Sequence, residues 1–322
     1  MTNHQSLLRF ARRTAPSVAR RDDGKMAGMP TLSRRAVLRL GVGAAAGAAG
    51  AVAFGVAATA TPGQPAPQTP PAPQAPPVPL EPPATAAPTY VTGSFVSAAR
   101  GGVATNWAIA RPPGQTAPLR PVIALHGKGQ DAAGVMAGGV EQGLAEAVAA
   151  GLPPFAVVAV DGGGSYWHKR ASGEDSGAMV LDELIPMLGE QGLDTSRVGF
   201  LGWSMGGYGA LLLGSRLGPA RTAAICAVSP ALWTSPGAAA PGAFDNAEDY
   251  NANSVWGQPA LASIPLRIDC GTSDPFYAAT RQFIAQLPNA PAGGFSPGGH
   301  NGEFWSAQLP GELTWMAPLL VA

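Results

Sequence analysis

From Tyr90 onward, short apolar runs alternate with longer stretches of helical periodicity. Tyr90 to Ala98 and Val103 to Ala110 alternate loosely between apolar and polar positions, and Arg100-Gly101-Gly102 lies between them. That pattern predicts a β-hairpin, which Arg111-Pro112-Pro113-Gly114 brings to an end. Four runs are continuously free of polar side chains, Pro121 to Leu125, Ala156 to Val160, Val198 to Leu201 and Ala223 to Val228, and a fifth short run, Leu266 to Asp269, alternates apolar and charged positions. Runs of that length are expected of strands buried on both faces. Helices are expected over Val140 to Ala150, roughly Ser176 to Leu188, Tyr208 to Leu217 and Pro275 to Leu287, with a last strand at about Gly294 to Ser296. Strands alternating with helices predict an α/β fold with a doubly wound, mostly parallel sheet, whose ligands bind beyond the carboxyl ends of the strands.

The first 89 residues do not fit that pattern. Residues 1–60 start with a basic stretch (Arg9, Arg12, Arg13, Arg20, Arg21, Lys25, Arg34, Arg35, Arg39) and continue into an uncharged small-residue run, Gly41 to Ala60. Ser33-Arg34-Arg35-Ala36-Val37-Leu38 precedes the run as a twin-arginine signal would, and Ala58-Thr59-Ala60 fits an A-x-A cleavage site. The expectation is an exported protein. The competing reading keeps Gly41 to Ala60 as an uncleaved anchor, since the run is just long enough to span a bilayer. Residues 61–89 are Pro, Ala, Thr and Gln with almost no charge, a composition that cannot bury a core and suits a disordered linker.

About 230 residues remain for one catalytic domain, 90–322, with a sizeable core. The chain is formally neutral, with 20 basic and 20 acidic residues, but residues 1–60 hold 9 of the basic and 2 of the acidic ones. The remainder therefore carries 11 basic and 18 acidic residues, a balance of −7 that argues against a nucleic-acid partner.

Chemistry enters at Gly202-Trp203-Ser204-Met205-Gly206, which follows an apolar strand and precedes helix formers. This is the G-x-S-x-G of a nucleophile elbow. Glycines two residues either side of the serine remove Cβ atoms that would collide with neighbouring chain. The following helix aims its first N–H groups at the place where an oxyanion would develop. In an α/β hydrolase the triad order is serine, acid, histidine, and of four histidines only His300 follows Ser204. It sits in Gly298-Gly299-His300-Asn301-Gly302, a loop able to place an imidazole over the serine. The acid is expected after the penultimate strand, where Asp269 and Asp274 compete. Asp274 is favoured because it lies beyond the Gly271 turn, while Asp269 is still on the strand. Pro275 after it suggests an N-cap role as the structural alternative.

Other strand ends add candidates. His126-Gly127-Lys128-Gly129 after the first buried strand turns the chain so that a backbone N–H, that of Lys128, points into the site; the second oxyanion donor is the N–H of Met205. The His126 side chain is read as structural. Tyr166 and Trp167, after Gly162-Gly163-Gly164, either wall a substrate pocket or pack beneath a loop. No phosphate-loop spacing fits these glycines. Ser229 to Pro265, carrying Trp233, Phe244, Tyr250 and Trp256, suits a small cap-like insertion over the strand ends or an ordinary surface excursion; Trp233 is the candidate substrate contact. Cys226 and Cys270 are expected to be buried free thiols, since adjacent parallel strands offer poor disulfide geometry. No zinc spacing occurs, and no metal or cofactor is expected.

Gly202 to Leu211, with Leu125-His126-Gly127 before it and Gly299-His300 after it, resembles the esterase D-like branch of α/β hydrolases, which includes S-formylglutathione hydrolases, feruloyl esterases and secreted mycolyltransferases. The resemblance spans about residues 90–320 and implies the α/β-hydrolase fold with Ser204, Asp274 and His300 as the triad. The mycolyltransferase signature around the substrate tunnel is not evident, and export does not suit a formylglutathione hydrolase. The expected activity is an exported serine esterase acting on a small-molecule or lipid ester, with possible envelope association. Acyl transfer to a sugar or lipid alcohol, and a non-catalytic envelope-binding role on the same fold, are the alternatives.

Overall fold

The computed structural model describes residues 89–322. The signal segment and residues 61–88 of the linker lie outside the described residues.

Eight strands form one sheet: β1 (Tyr90–Ser97), β2 (Val103–Ala110), β3 (Pro121–Leu125), β4 (Ala156–Val160), β5 (Val198–Trp203), β6 (Thr222–Val228), β7 (Leu266–Gly271) and β8 (Ala292–Ser296). Their spatial order is β1-β2-β4-β3-β5-β6-β7-β8. The hairpin β1–β2 is antiparallel and pairs Tyr90 with Ala110, and β2 joins β4 antiparallel. From β4 to β8 every pairing is parallel. The chain runs from β3 outward to β4, then returns to the other side of β3 with β5. The strand order therefore reverses beside β3 and β5, which places the ligand crevice at their carboxyl ends.

Strands β3 and β4 are buried along their whole lengths, as their unbroken apolar sequences require. Helices α1 (Ala132–Met136), α2 (Val140–Ala149) and α8 (Gly302–Val321) pack on one face of the sheet. The other face is covered by α4 (Ile185–Glu190), α5 (Met205–Leu217) and α7 (Tyr277–Gln286). The stretch expected as one helix from Ser176 is α3 (Ser176–Ala178), a π-helical turn (Met179–Leu184) and α4 in succession. A short helix, α6 (Ala247–Ala252), lies in the insertion between β6 and β7.

Two further elements depart from the pattern reading. Helix α8 is the longest in the domain, yet its sequence carries Pro310 and Pro318 inside it and glycines at 302 and 311. Those residues suppress a helical signal. Burial of Phe304, Leu309, Leu313, Met316, Ala317 and Leu320 against the sheet outweighs it. Asn301 starts the helix, its side chain accepting the Phe304 N–H at 3.0 Å. Helix α5 starts at Met205, three residues before the expected Tyr208, because Gly206 and Gly207 belong to its first turn. Among the described residues no helix is long and apolar enough to cross a membrane.

Candidate active site

Ser204 sits at the sharp turn between β5 and α5, with φ 55° and ψ −120°, a conformation few non-glycine residues adopt. The turn is held from both sides. Ser204 N–H donates to Val228 O at 3.0 Å, and Ser204 O accepts from Tyr208 N–H and Ala231 N–H at 3.0 and 2.9 Å. The flanking glycines are sterically required. A Cβ on Gly206 would run into the Leu125 carbonyl of β3, and one on Gly202 would strike the Gly206 carbonyl. The start of α5 is thus pressed against the end of β3, which brings the two loops at the crevice together.

His300 follows β8 and places Nε2 2.8 Å from Ser204 Oγ; its Nδ1 lies 2.8 Å from Asp274 Oδ2. With Nδ1–H donating to the carboxylate, Nε2 is left to accept from the serine hydroxyl. Asp274 is 5% exposed, and its Oδ1 accepts the Phe276 N–H at 2.8 Å. Burial works against its charge, but hydrogen bonds from His300 and the Phe276 N–H outweigh it and hold the carboxyl below its usual range. Helix α7 has its N-cap at Phe276, so Asp274 caps the turn leading into the helix and not the helix itself. Asp269 lies elsewhere: it pairs with Arg267 at 2.6 and 3.3 Å, two residues along the same strand. Of the two candidate acids, only Asp274 contacts the imidazole.

The imidazole is flanked by two rings. Phe276 lies 5.2 Å from it, centroid to centroid, and Trp305 of α8 lies 5.1 Å away with its plane at 88°. Trp305 also stacks on Trp203, the residue before the serine, at 5.9 Å. Trp203 Nε1–H donates to Gln130 Oε1 at 2.6 Å, and the same oxygen accepts the Gly127 N–H at 3.1 Å. Gln130 therefore ties the loop after β3 to the elbow. Neither Gln130 nor Trp305 stands out in the sequence, because neither belongs to a motif; the capping pattern Asn301–Phe304 was the available signal for the helix that carries Trp305.

The N–H groups of Lys128 and Met205 make no hydrogen bond within the described residues. Met205 is the first residue of α5, where helix geometry leaves its N–H unused. The His126 ring is fully buried. Its Nδ1–H donates to Gly127 O and its Nε2 accepts the Gly162 N–H, both at 2.8 Å. It clamps the β3 and β4 loops together as a neutral imidazole, and burial lowers its pKa accordingly.

Tyr166 and Trp167 both have positive φ, 57° and 60°, but their surroundings differ. Trp167 has no exposed surface and packs against Gly162 and Gly209, where a Cβ would meet its ring. It fills the space beneath the loop and is a core residue, not a pocket wall. Tyr166 meets Trp233 at 5.7 Å, and the Lys128 ammonium lies 5.8 Å from its ring centroid. Trp233 reaches Phe276 at 5.5 Å, so Tyr166, Trp233 and Phe276 form a continuous aromatic side leading to His300. The insertion carrying Trp233 is anchored by Arg170, which donates to Asp245 at 2.7 Å and to the carbonyls of Gly242 and Ala243.

Both cysteines are free and buried. The register sets Cys226 opposite Arg267, three positions from Cys270 on β7, so the thiols do not face each other. Burial pushes the Cys270 thiol up to about 12 and that of Cys226 well above its ordinary value. Cys226, Asp269 and Glu312 bring possible donor atoms within 4.8 Å of one another. The Asp269 carboxylate in this cluster is already engaged by Arg267.

No protein-family model and no curated protein sequence matches the chain. Solved structures do. A ferulic acid esterase superposes with a TM-score of 0.62 at 20% identity, over 71% of this chain and 98% of that one. An S-formylglutathione hydrolase from Agrobacterium tumefaciens gives 0.59 at 20%, over 72% and 95%. The fluorophosphonate-binding serine hydrolase F of Staphylococcus aureus gives 0.56 at 21%, over 72% and 98%. These likenesses establish the fold, which is that of the α/β hydrolases. They agree with the esterase D-like resemblance carried by the serine motif.

Proposed function

We propose that this protein is an exported serine ester hydrolase. The observation that carries the reading is the unbroken relay from Asp274 through His300 to Ser204, with both hydrogen bonds at 2.8 Å. In this reading His300 takes the Ser204 proton as the oxygen attacks the ester carbonyl, and Asp274 holds the imidazole tautomer and stabilises the cation that forms. The unused N–H groups of Lys128 and Met205 receive the tetrahedral oxyanion. The histidinium returns its proton to the leaving alcohol, and water repeats the sequence to release the acid. Tyr166 and Trp233 flank the bound ester, while Trp167 supports the loop from below. Structural neighbours named as a ferulic acid esterase and a fluorophosphonate-binding serine hydrolase support the same chemistry. The twin-arginine pattern and the A-x-A site support export, with a small-molecule or lipid ester met at the cell envelope or outside it.

The deciding experiment is labelling of the purified protein with a fluorophosphonate probe, together with hydrolysis of p-nitrophenyl esters from acetate to palmitate. Stoichiometric labelling of Ser204 and saturable hydrolysis are expected. A protein that neither reacts with the probe nor turns over any ester would be a binding protein on a hydrolase fold.

A further inference from the structure

A cavity of about 110 Å³ opens on the sheet face opposite α5, between α1 and α8. None of Ser204, Asp274 or His300 lines it. Its α8 side is formed by Gly302, Trp305, Ser306, Leu309 and Glu312, which recur at helical spacing along one face. From Gly302 to Glu312 the helix rises about 15 Å, so the cavity is long for its volume. The mouth lies among exposed Gln130, Gly134 and Ser306, and the walls are the buried side chains of Val135, Val140, Leu201 and Val228. A buried acid lies at the inner end: Glu312 lines the cavity and is 2% exposed, its Oε1 is closed off without a hydrogen-bond partner, and its carboxyl makes no hydrogen bond within the described residues. Such an uncompensated polar group is costly, and native structures pair nearly all of them.

We propose that this cavity is a binding site for a slender neutral alcohol, its chain along the apolar walls and its hydroxyl on Glu312. The size fits: an engineered apolar cavity of about 150 Å³ holds benzene, so this one takes about four to five heavy atoms. The polarity fits as well. Burial and the neighbouring Asp269 charge push the Glu312 carboxyl up to about 8, which leaves a neutral acid at neutral pH. A neutral acid both donates and accepts, and a hydroxyl answers both. Carboxylate ligands are disfavoured by Asp269. The site borders the catalytic machinery through Gln130, Trp203 and Trp305, and it does not depend on the ester-hydrolase reading.

The test uses 1-butanol and the Trp305 indole N–H in ¹H–¹⁵N spectra, with the signal assigned by its loss in Trp305→Phe. A saturable shift is expected, with 1-butanol binding at least ten-fold tighter than 1-chlorobutane, which has the same number of heavy atoms. Glu312→Leu should bring the two ligands to parity, and Val135→Phe should weaken both at least ten-fold by filling the wall. Should Val135→Phe fail to fold, the Glu312→Leu comparison carries the test alone. A shift that never saturates, equal binding of 1-chlorobutane to the native protein, or tighter binding of butylamine than of butanol would each overturn the proposal.

Discussion

The Trp305 indole stands edge-on to the His300 imidazole, ring centroids 5.1 Å apart, and stacks on Trp203 with its other side engaged. A residue of the C-terminal helix therefore packs against His300, whose own loop is built largely of glycine. Trp305→Ala should lower kcat about ten-fold by letting the imidazole drift from Ser204, in line with the sensitivity of rates to small misplacements. It should also cost about 2 kcal/mol of stability, less than a fully buried tryptophan would. Trp305→Phe, which keeps a ring against His300, should recover most of kcat. Equal losses in the two variants would show that the ring contact does not position the base.

Ser204→Ala should abolish ester hydrolysis and probe labelling with the fold intact. Ser204→Gly should be equally inactive yet more stable than the alanine variant by about 1 kcal/mol, because glycine adopts φ 55° without strain. Chemical denaturation of the two variants makes the comparison. An alanine variant as stable as the glycine one would mean that the elbow stores no backbone strain.

Asp274→Asn should reduce kcat by roughly 10⁴-fold, since an amide favours the wrong imidazole tautomer. Asp269→Asn removes one partner of a buried ion pair and should instead lower stability, by about 3 kcal/mol, with kcat little changed. Reversed phenotypes would make Asp269 the acid.

Glu312 has its folded pKa raised to about 8 from an unfolded value of 4.5. The folded state holds the proton after the unfolded state has released it, so this group's contribution is fully present below about 4.5 and is lost as pH rises toward about 8. Across that window stability should fall by up to roughly 1.4 kcal/mol per pH unit, and level off above it. Asp274 acts in the opposite sense: its lowered pKa contributes stability above the ordinary carboxylate value, lost as pH falls through the folded one. Glu312→Gln should flatten the loss on the alkaline side, as measured by denaturant midpoints from pH 5 to 9. An unchanged slope would show that Glu312 is ionised in the folded protein throughout.

Replacement of Arg34 and Arg35 by lysine should trap active, folded enzyme inside the cell, and the exported native chain should begin close to Thr61. Recovery of exported protein only in membranes, with Gly41 to Ala60 attached, would decide for an anchor.

The sequence alone determined the strands, the elbow and the order of Ser204, Asp274 and His300 along the chain. Continuous apolar runs have few ways to be buried, and a glycine pair around a serine matters only where backbone approaches backbone, as Gly206 does at Leu125. His300 was legible because the order serine, acid, histidine left no other candidate. The choice between Asp269 and Asp274 became a contact only in three dimensions, where Arg267 claims one carboxylate and His300 the other. Trp167 was ambiguous from sequence because an aromatic after three glycines can face a pocket or the core; the missing side chain of Gly209, on another element, decided for the core. Helix α8 escaped for a related reason. Its prolines and glycines oppose a helix locally, and only the sheet against which Phe304, Leu313 and Leu320 are buried supplies the compensating free energy. Tertiary structure thus decided whatever depends on what lies across from a residue, because burial and pairing are properties of two chain segments and a linear pattern records one.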